Sequence, residues 1–290
     1  MKEKIFIEFR KIIRSRYYLV SLLFFCLLAA ENAIHAILTD LQLRQDIEKF
    51  YFSYITQTYT SNPMFGISTA YNYWIGVDHD WWSSFLFFRL FPLVVAFGAG
   101  LSLYKEKKSG YRRIALPKTG RKEYYLSKYI ASFFMGGTVV FIPMIINLLI
   151  IFAFIPARIP SPIFQNNFGV FSFDFMAYIF YTHPDLYVAF FLFLNFIYAG
   201  LFSCISITLS MFSKKVTTIL FSPYLFMVVL SYTISLLSAF RFYIELSPFS
   251  FLRAARSPNI INGYVLLGEA LVLLAFSIIG YFREVNADVM

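Results

Sequence analysis

The sequence predicts an all-α polytopic membrane protein: an N-terminal amphipathic helix followed by six transmembrane helices. Of the 290 residues, 59% are hydrophobic and only 14% are charged, and the mean hydropathy is +0.66. A soluble domain carries about 25% charged residues, so this chain has too few charges to cover a surface in water. These values exclude a soluble enzyme and a soluble nucleic-acid binder. We expect one domain over residues 1–290.

The first 16 residues favour an amphipathic helix that lies flat on the inner membrane face, here called the elbow. Its apolar positions recur on one helix face, as in interfacial helices: Ile5, Phe6, Phe9, Ile12 and Ile13. Polar side chains occupy the other face: Lys4, Glu8, Lys11 and Arg14. We expect the apolar face to contact acyl chains and the polar face to contact water.

Six apolar runs follow, each close to the roughly 20 residues that cross the hydrocarbon layer as a helix. They cover about 17–38, 84–104, 129–155, 186–211, 219–239 and 263–282. Between them we expect outer loops at 39–83 and 157–185, and an outer segment at 240–262 that enters the membrane halfway. Small residues on the spans favour close helix packing: Gly98, Gly100, Ser102, Gly136, Gly137, Ala199, Gly200 and Ser203.

The distribution of basic residues predicts the orientation. On this map, 18 of the 25 Lys and Arg residues lie in the N-terminal segment, in 105–128, in the turn at 214–215 and in the C-terminal tail. Cytoplasmic loops carry an excess of Lys and Arg. We therefore expect both termini in the cytoplasm.

Motifs of the common enzyme classes are absent. The sequence holds no G-x-x-x-x-G-K-[ST] loop for ATP, no H-E-x-x-H and no G-x-S-x-G. We expect no catalytic residue and no cofactor in this chain. Glu31 and His35, one helical turn apart, offer two metal ligands, but no third ligand is evident, so a polar contact between helices is the favoured interpretation and no metal is expected.

Charged residues inside the predicted spans form a second candidate site. Glu31, Arg89 and Glu269 fall at similar depths, outside the midpoints of their spans. An unpaired charge at such a depth costs at least about 2.5 kcal/mol on insertion scales. We therefore expect Arg89 to pair with one or both acids, in a polar network that includes His35.

The connection at 105–128, KEKKSGYRRIALPKTGRKEYYLSK, combines nine basic residues with helix breakers. Gly110 precedes a short basic and apolar stretch, and Pro117 and Gly120 follow it. The pattern predicts a short helix on the cytoplasmic surface that presents 111–116 to a partner.

Together, five features resemble the permease subunit of ABC-2 type exporters. They are the elbow, the six spans, the long first outer loop, the Glu–Gly–Leu–Pro–Arg–Lys order within 106–128 and the half-inserted segment. The resemblance implies a dimer of two permease chains in a bacterial plasma membrane, with separate ATP-binding subunits that hold ATP and Mg²⁺. It also implies a coupling helix within 106–117 that contacts the ATP-binding subunit through Glu106, Gly110, Tyr111, Arg112, Arg113, Ile114, Leu116 and Pro117. The implied function is export of an amphiphilic substrate such as a peptide, an antibiotic or a lipid-like molecule.

Two alternatives remain open at this stage. An ion-coupled secondary transporter would use Glu31, Arg89 and Glu269, with His35, as its proton or substrate site. The absence of a visible inverted repeat disfavours it, because such transporters commonly contain duplicated halves. An intramembrane enzyme would need a nucleophile and a base, and the sequence offers no such pair.

Overall fold

A computed structural model describes residues 1–54, 68–78, 81–162, 165, 170–255, 257 and 259–286. Within these ranges the secondary structure is helical, apart from an isolated parallel bridge between Ile244 and Ile260. Parts of both predicted outer loops, 55–67, 79–80, 163–164 and 166–169, lie outside the described residues. So do residues 256 and 258 of the predicted half-inserted segment and the end of the tail, 287–290.

The helices follow in this order: α1 Lys2–Ile13, α2 Arg16–Tyr54, α3 Ala70–Tyr73, α4 Trp82–Val95, a π-helical turn Ala96–Gly100, α5 Ser102–Lys108, α6 Tyr111–Thr119, α7 Arg121–Phe154, α8 Ala177–Thr182, α9 Pro184–Phe212, α10 Val216–Ser238, α11 Pro248–Phe251 and α12 Gly263–Asn286. Six of the helical segments are long and apolar enough to cross a membrane: 16–46, 82–100, 121–154, 184–212, 216–238 and 263–286. The predicted all-α fold with six helices of spanning length is confirmed. The chain is a multi-pass membrane protein.

Two of these helices extend beyond the apolar runs. α2 continues past Leu38 to Tyr54, and α7 begins at Arg121 rather than near Tyr129. Polar residues end an apolar run without ending a helix, and neither Gly nor Pro occurs between residues 39 and 54. The beginning of the predicted outer loop 39–83 and the end of the predicted loop 105–128 are therefore helical.

Contacts between the helix ends define two ends of the bundle. At the first, here called the basic end, Arg112 of α6 pairs with Glu284 of α12, Lys4 of α1 donates to the Thr119 carbonyl at 2.9 Å, and Lys107 donates to the Ser210 carbonyl at 3.0 Å. At the opposite end the Ala254 amide donates to the Gly76 carbonyl at 2.8 Å, and the Ala70 amide to the Pro156 carbonyl at 3.1 Å. Successive long helices therefore alternate in direction.

α7 and α9 pack closely where glycines face the other helix. A Cβ atom added at Gly136 would lie 2.5 Å from the Ser203 Cβ, and one added at Gly200 would lie 2.6 Å from the Phe133 ring. Real Cβ atoms do not approach so closely, so a side chain larger than hydrogen would push the helices apart. Such small-residue contacts let helix backbones approach each other within a membrane.

We expect Gly136→Ala to lower the free energy of unfolding by about 1–3 kcal/mol, the usual cost of overfilling a packed interior. Gly268→Ala on α12 is the matched control, because a Cβ at Gly268 meets nothing within 4 Å and alanine favours a helix over glycine by about 0.5–1 kcal/mol. Unfolding of both variants by denaturant in detergent measures the difference. Equal stability of the two variants would show that the α7–α9 contact tolerates a methyl group.

The second spanning segment is interrupted by the π-helical turn after α4. The turn is buried, and serines from neighbouring helices donate to carbonyls around it: Ser21 to Val94 at 3.1 Å and Ser132 to Ala99 at 3.2 Å. A π-helical turn places backbone groups out of the regular α-helical register. These two serines supply hydrogen-bond donors at that point.

The segment at 240–262 packs against α9 at the opposite end. Its backbone carbonyls accept hydrogen bonds from two buried side chains of α9: Asn195 donates to Leu252 and Tyr187 to Ala254, both at 2.9 Å. Buried irregular backbone needs hydrogen-bond partners for its polar groups. This packing satisfies part of that requirement.

Candidate functional site

Two glycines delimit α6 at the basic end. Gly110 and Gly120 both have φ of 73°, a left-handed conformation that residues with a Cβ rarely adopt. The structure has a helix between them, Tyr111–Thr119. Pro117 was expected to break the chain here, but it lies inside the last turn; it cannot donate to the Arg113 carbonyl, and the helix ends two residues later at Thr119.

α6 lies against the bundle by one face and leaves another face open. Ala115 is buried, and with Leu116 it joins a small apolar cluster that includes Leu103 and Tyr125. Ile114 is 61% exposed, and Tyr111 beside it is exposed as well. The open face of α6 is therefore available for contact with another molecule.

Arg112, expected to face a partner, is instead held inside the chain. Its Nη2 lies 2.8 Å from Glu284 Oε2, and Tyr125 donates its hydroxyl to the same oxygen at 2.9 Å. α6 is thereby tied to the end of α12 and the start of α7.

Glu106 is also turned inward, toward a cluster of charges under α1. Lys128 Nζ lies 2.6 Å from Glu106 Oε1, and Lys11 Nζ lies 3.2 Å from the same atom. Glu8 completes the cluster by pairing with Lys128 and with Lys11. We call Glu8, Lys11, Glu106 and Lys128 the ion cluster; it joins α1, α5 and α7, and its formal charges sum to zero.

The expectation that the polar face of the elbow contacts water is wrong for Glu8, whereas Arg14 is exposed as expected. Glu8 is buried, Lys4 pairs with Glu123 on α7, and Phe9 packs beside Phe134. In contrast, Phe6 is 68% exposed. Ion pairs of Lys4 with Glu123 and of Glu8 with Lys128 hold this face of α1 against α7.

The ion cluster perturbs the groups that form it. Burial alone would raise the pKa of Glu106, but Lys128, Tyr124 and Lys11 outweigh it and hold that pKa below its usual value. Burial opposes the charge on Lys11, yet hydrogen bonding to Glu8 and the charges of Glu8 and Glu106 raise its pKa. The opposite charges in the cluster therefore favour the ionised forms of Glu106 and Lys11.

A broad groove opens beside α6, with a volume of about 990 Å³. It lies between α5, α6, the start of α7, the turn that joins α9 to α10 and the end of α12. Its lining carries six basic side chains and one carboxylate: Lys107, Lys108, Arg112, Arg113, Arg121, Lys214 and Glu284. We call it the basic groove. From the predicted coupling set, Gly110, Arg112, Arg113, Leu116 and Pro117 line it.

The residues of the predicted intramembrane network do not meet. Glu31 accepts hydrogen bonds from the Trp81 indole at 2.9 and 3.1 Å, and His35 stacks on the same indole with ring centroids 3.4 Å apart. The Arg89 guanidinium lies over the Phe249 ring, 4.5 Å from its centroid. No ion pair within the described ranges joins Arg89 to Glu31 or Glu269. Equal depth does not place two side chains on facing sides of their helices, which is why the inference failed.

A buried amide at the opposite end is a site that the sequence did not reveal. Asn147 donates to the Ala29 carbonyl at 2.8 Å and to Asn32 Oδ1 at 3.0 Å, and it accepts from the Ile75 amide at 2.9 Å. Asn32 in turn donates to Asp78. A single Asn in an apolar run gives little indication of a buried hydrogen-bonding site, although polar residues inside a membrane usually have a functional or structural role.

Nothing else in the described part of the chain points to chemistry. It holds no group of three or more His, Cys, Asp or Glu side chains that could bind a metal ion. No protein family, curated protein or solved structure matches the chain.

Proposed function

We propose that this chain is the permease subunit of an ATP-driven exporter of the ABC-2 type, with both termini in the cytoplasm of a bacterial cell. In this proposal ATP is hydrolysed by separate ATP-binding subunits, and two permease chains form the pathway. Six helices of spanning length and the absence of an ATP-binding loop from the sequence support a membrane subunit without its own ATPase. The substrate we propose is amphiphilic: a peptide, an antibiotic or a lipid-like molecule.

The observation that carries the proposal is α6. It is a short helix between two left-handed glycines, tied to α12 and α7, with Ile114 exposed. A rigidly tied surface helix can transmit a push from a partner to the long helices, because Arg112 and Glu284 link it to the end of α12. We therefore propose the open face of α6 as the contact with the ATP-binding subunit.

The ion-coupled alternative receives less support. It needs Glu31, Arg89 and Glu269 close to one another, but Glu31 bonds to Trp81 and Arg89 lies over Phe249. Glu269 Oε2 is buried and has no hydrogen-bond partner among the described residues.

We expect Ile114→Asp to abolish coupling between ATP hydrolysis and transport. Loss of one buried apolar side chain from a contact weakens it by about 1.5–3 kcal/mol, at least about ten-fold in affinity. The measurement is co-purification and ATPase rate of the chain expressed with the Walker-motif protein encoded beside it. Lys122→Asp, at an exposed position near the start of α7, is the control. We expect this variant to keep both the co-purification and the ATPase rate of the wild-type chain.

Charge swapping separates a structural effect from a coupling effect. Arg112→Glu alone breaks the pair with Glu284, whereas Arg112→Glu combined with Glu284→Arg restores it with reversed signs. We expect the double variant to fold normally. Failure of the wild-type chain to bind a Walker-motif protein, or full coupling in Ile114→Asp, would contradict the proposal.

A further inference from the structure

The basic groove concentrates positive charge that the chain does not neutralise. Six basic side chains against Glu284 leave a net formal charge of +5 on its lining. Three of the six interact within the chain: Lys107 donates to the Ser210 and Met211 carbonyls at 3.0 and 3.2 Å, Arg112 pairs with Glu284, and Arg121 also has a partner.

Three cations at the groove have no such partner. Across the ranges that the structure describes, no ion pair or side-chain hydrogen bond engages Lys108, Arg113 or Lys214. They come from three different elements: the end of α5, α6, and the turn between α9 and α10. Their convergence on one concavity is unfavourable in an empty groove, because like charges repel.

The pKa of Lys107 is lowered, as expected for a half-buried lysine among other cations. Burial lowers its pKa, and although Glu284 acts in the opposite direction, Arg112 lowers it further. An anion in the groove would relieve the repulsion among these cations, so the groove has the charge of an anion site.

The rest of the lining selects among anions. Leu116, Pro117, Met211 and Phe212 form apolar wall beside the cations, and Phe212 is 51% exposed at the end of a spanning helix. Inorganic phosphate would leave that wall unused. A phosphate group that carries acyl chains satisfies both surfaces, and basic pockets between transmembrane helices commonly bind such headgroups.

We propose that the basic groove binds the phosphate headgroup of an anionic phospholipid, with Lys108, Arg113 and Lys214 as its charged contacts and Phe212 beside the first part of the acyl chains. This site shares Arg113 and part of its lining with the proposed coupling helix, but Lys108 and Lys214 lie outside α6 and Ile114 does not line the groove. The chain purified without any ATP-binding subunit is sufficient for the test, so its result is independent of the proposed function.

The experiment titrates the purified full chain in neutral detergent with phosphatidylglycerol and counts bound lipid by native mass spectrometry. Phosphatidylcholine with the same acyl chains and inorganic phosphate are the competing probes. We expect phosphatidylglycerol to bind, phosphatidylcholine to compete poorly, and inorganic phosphate to displace the lipid only weakly. Lys108→Gln with Lys214→Gln should weaken binding by about 25-fold, roughly five-fold for each lysine removed near an anionic headgroup.

Lys122→Gln with Lys215→Gln is the matched control, because it removes the same charge from exposed positions at the basic end that do not line the groove. Equal weakening in both double variants would overturn the proposal, since it would reduce the effect to general surface charge. Equal binding of both lipids, or displacement by inorganic phosphate at the concentration of the lipid, would also overturn it. Lys214→Gln alone keeps the test decisive if the double variant misfolds.

Discussion

Lys128→Met is expected to lower the free energy of unfolding by about 3–5 kcal/mol, the cost of removing one partner from a buried ion pair. The Lys128 side chain is 1% exposed and pairs with both Glu8 and Glu106. Its replacement leaves two carboxylates under α1 with only Lys11 to balance them. Unfolding by denaturant in detergent gives the free energy.

Two variants test this account of the ion cluster. Lys122→Met changes an exposed lysine six residues earlier on α7 and should cost little, because exposed charges contribute about 0–1 kcal/mol. Lys128→Met combined with Glu8→Gln and Glu106→Gln should recover much of the loss, since no carboxylate of the cluster then remains unpaired. If the triple variant is no more stable than the single one, the cluster does not act through charge.

The same cluster predicts an acid limit. The pKa of Glu106 in the folded protein lies below its usual value of 4.5, so the ionised form stabilises the fold above that value and the contribution disappears as the pH falls through the folded pKa. We expect the stability of the wild-type chain to fall below about pH 4.5. The Glu106→Gln variant should show a smaller acid dependence when the two are unfolded across the same pH range.

Asn147→Leu is expected to cost about 3 kcal/mol of unfolding free energy, because buried polar groups left without a partner cost about 1–3 kcal/mol each. Asn147 is fully buried, and its amide links α2 to the backbone of residue 75. Leucine of similar size fills the space but leaves the Ile75 amide and Asn32 Oδ1 without their hydrogen bonds. Unfolding in detergent measures the loss.

A double-mutant cycle distinguishes lost hydrogen bonds from poor packing. Asn32→Leu combined with Asn147→Leu should cost clearly less than the sum of the single variants, since each single change strands the other side chain. Asn286→Leu, at an exposed position near the end of α12, is the control and should be close to neutral. Strict additivity of the two single changes would show that Asn32 and Asn147 are not energetically linked.

Local patterns predicted the helices well and their side-chain partners poorly. Apolar runs identified the six long helices, and Gly110 with Gly120 marked the limits of α6. Neither pattern could locate the end of α2, because Tyr54 lies well beyond the last apolar residue of its span while the intervening residues still favour a helix.

The candidate sites are formed by side chains that lie far apart in the sequence, and no local pattern shows which of them pair. Glu8 and Lys128 are separated by 120 residues, and Glu8 was expected to face water because its neighbours on α1 are polar. The depth argument for Arg89 failed for a related reason: it estimated height along the membrane normal but not the direction in which each helix faces.

The π-helical turn at 96–100 has a consequence for how strictly the chain length is fixed here. An α-helix rotates its side chains by about 100° per residue, and a π-helical turn contains one residue more than an α-helical turn. Residues after the turn therefore keep the angular positions they would have in a regular helix that is one residue shorter. Deleting one residue within 96–100 would restore a regular helix and leave Glu106 facing Lys128, whereas rewinding all five residues as α-helix would swing Glu106 away by about 100°, so the ion cluster tolerates a shorter chain here better than a regularised one.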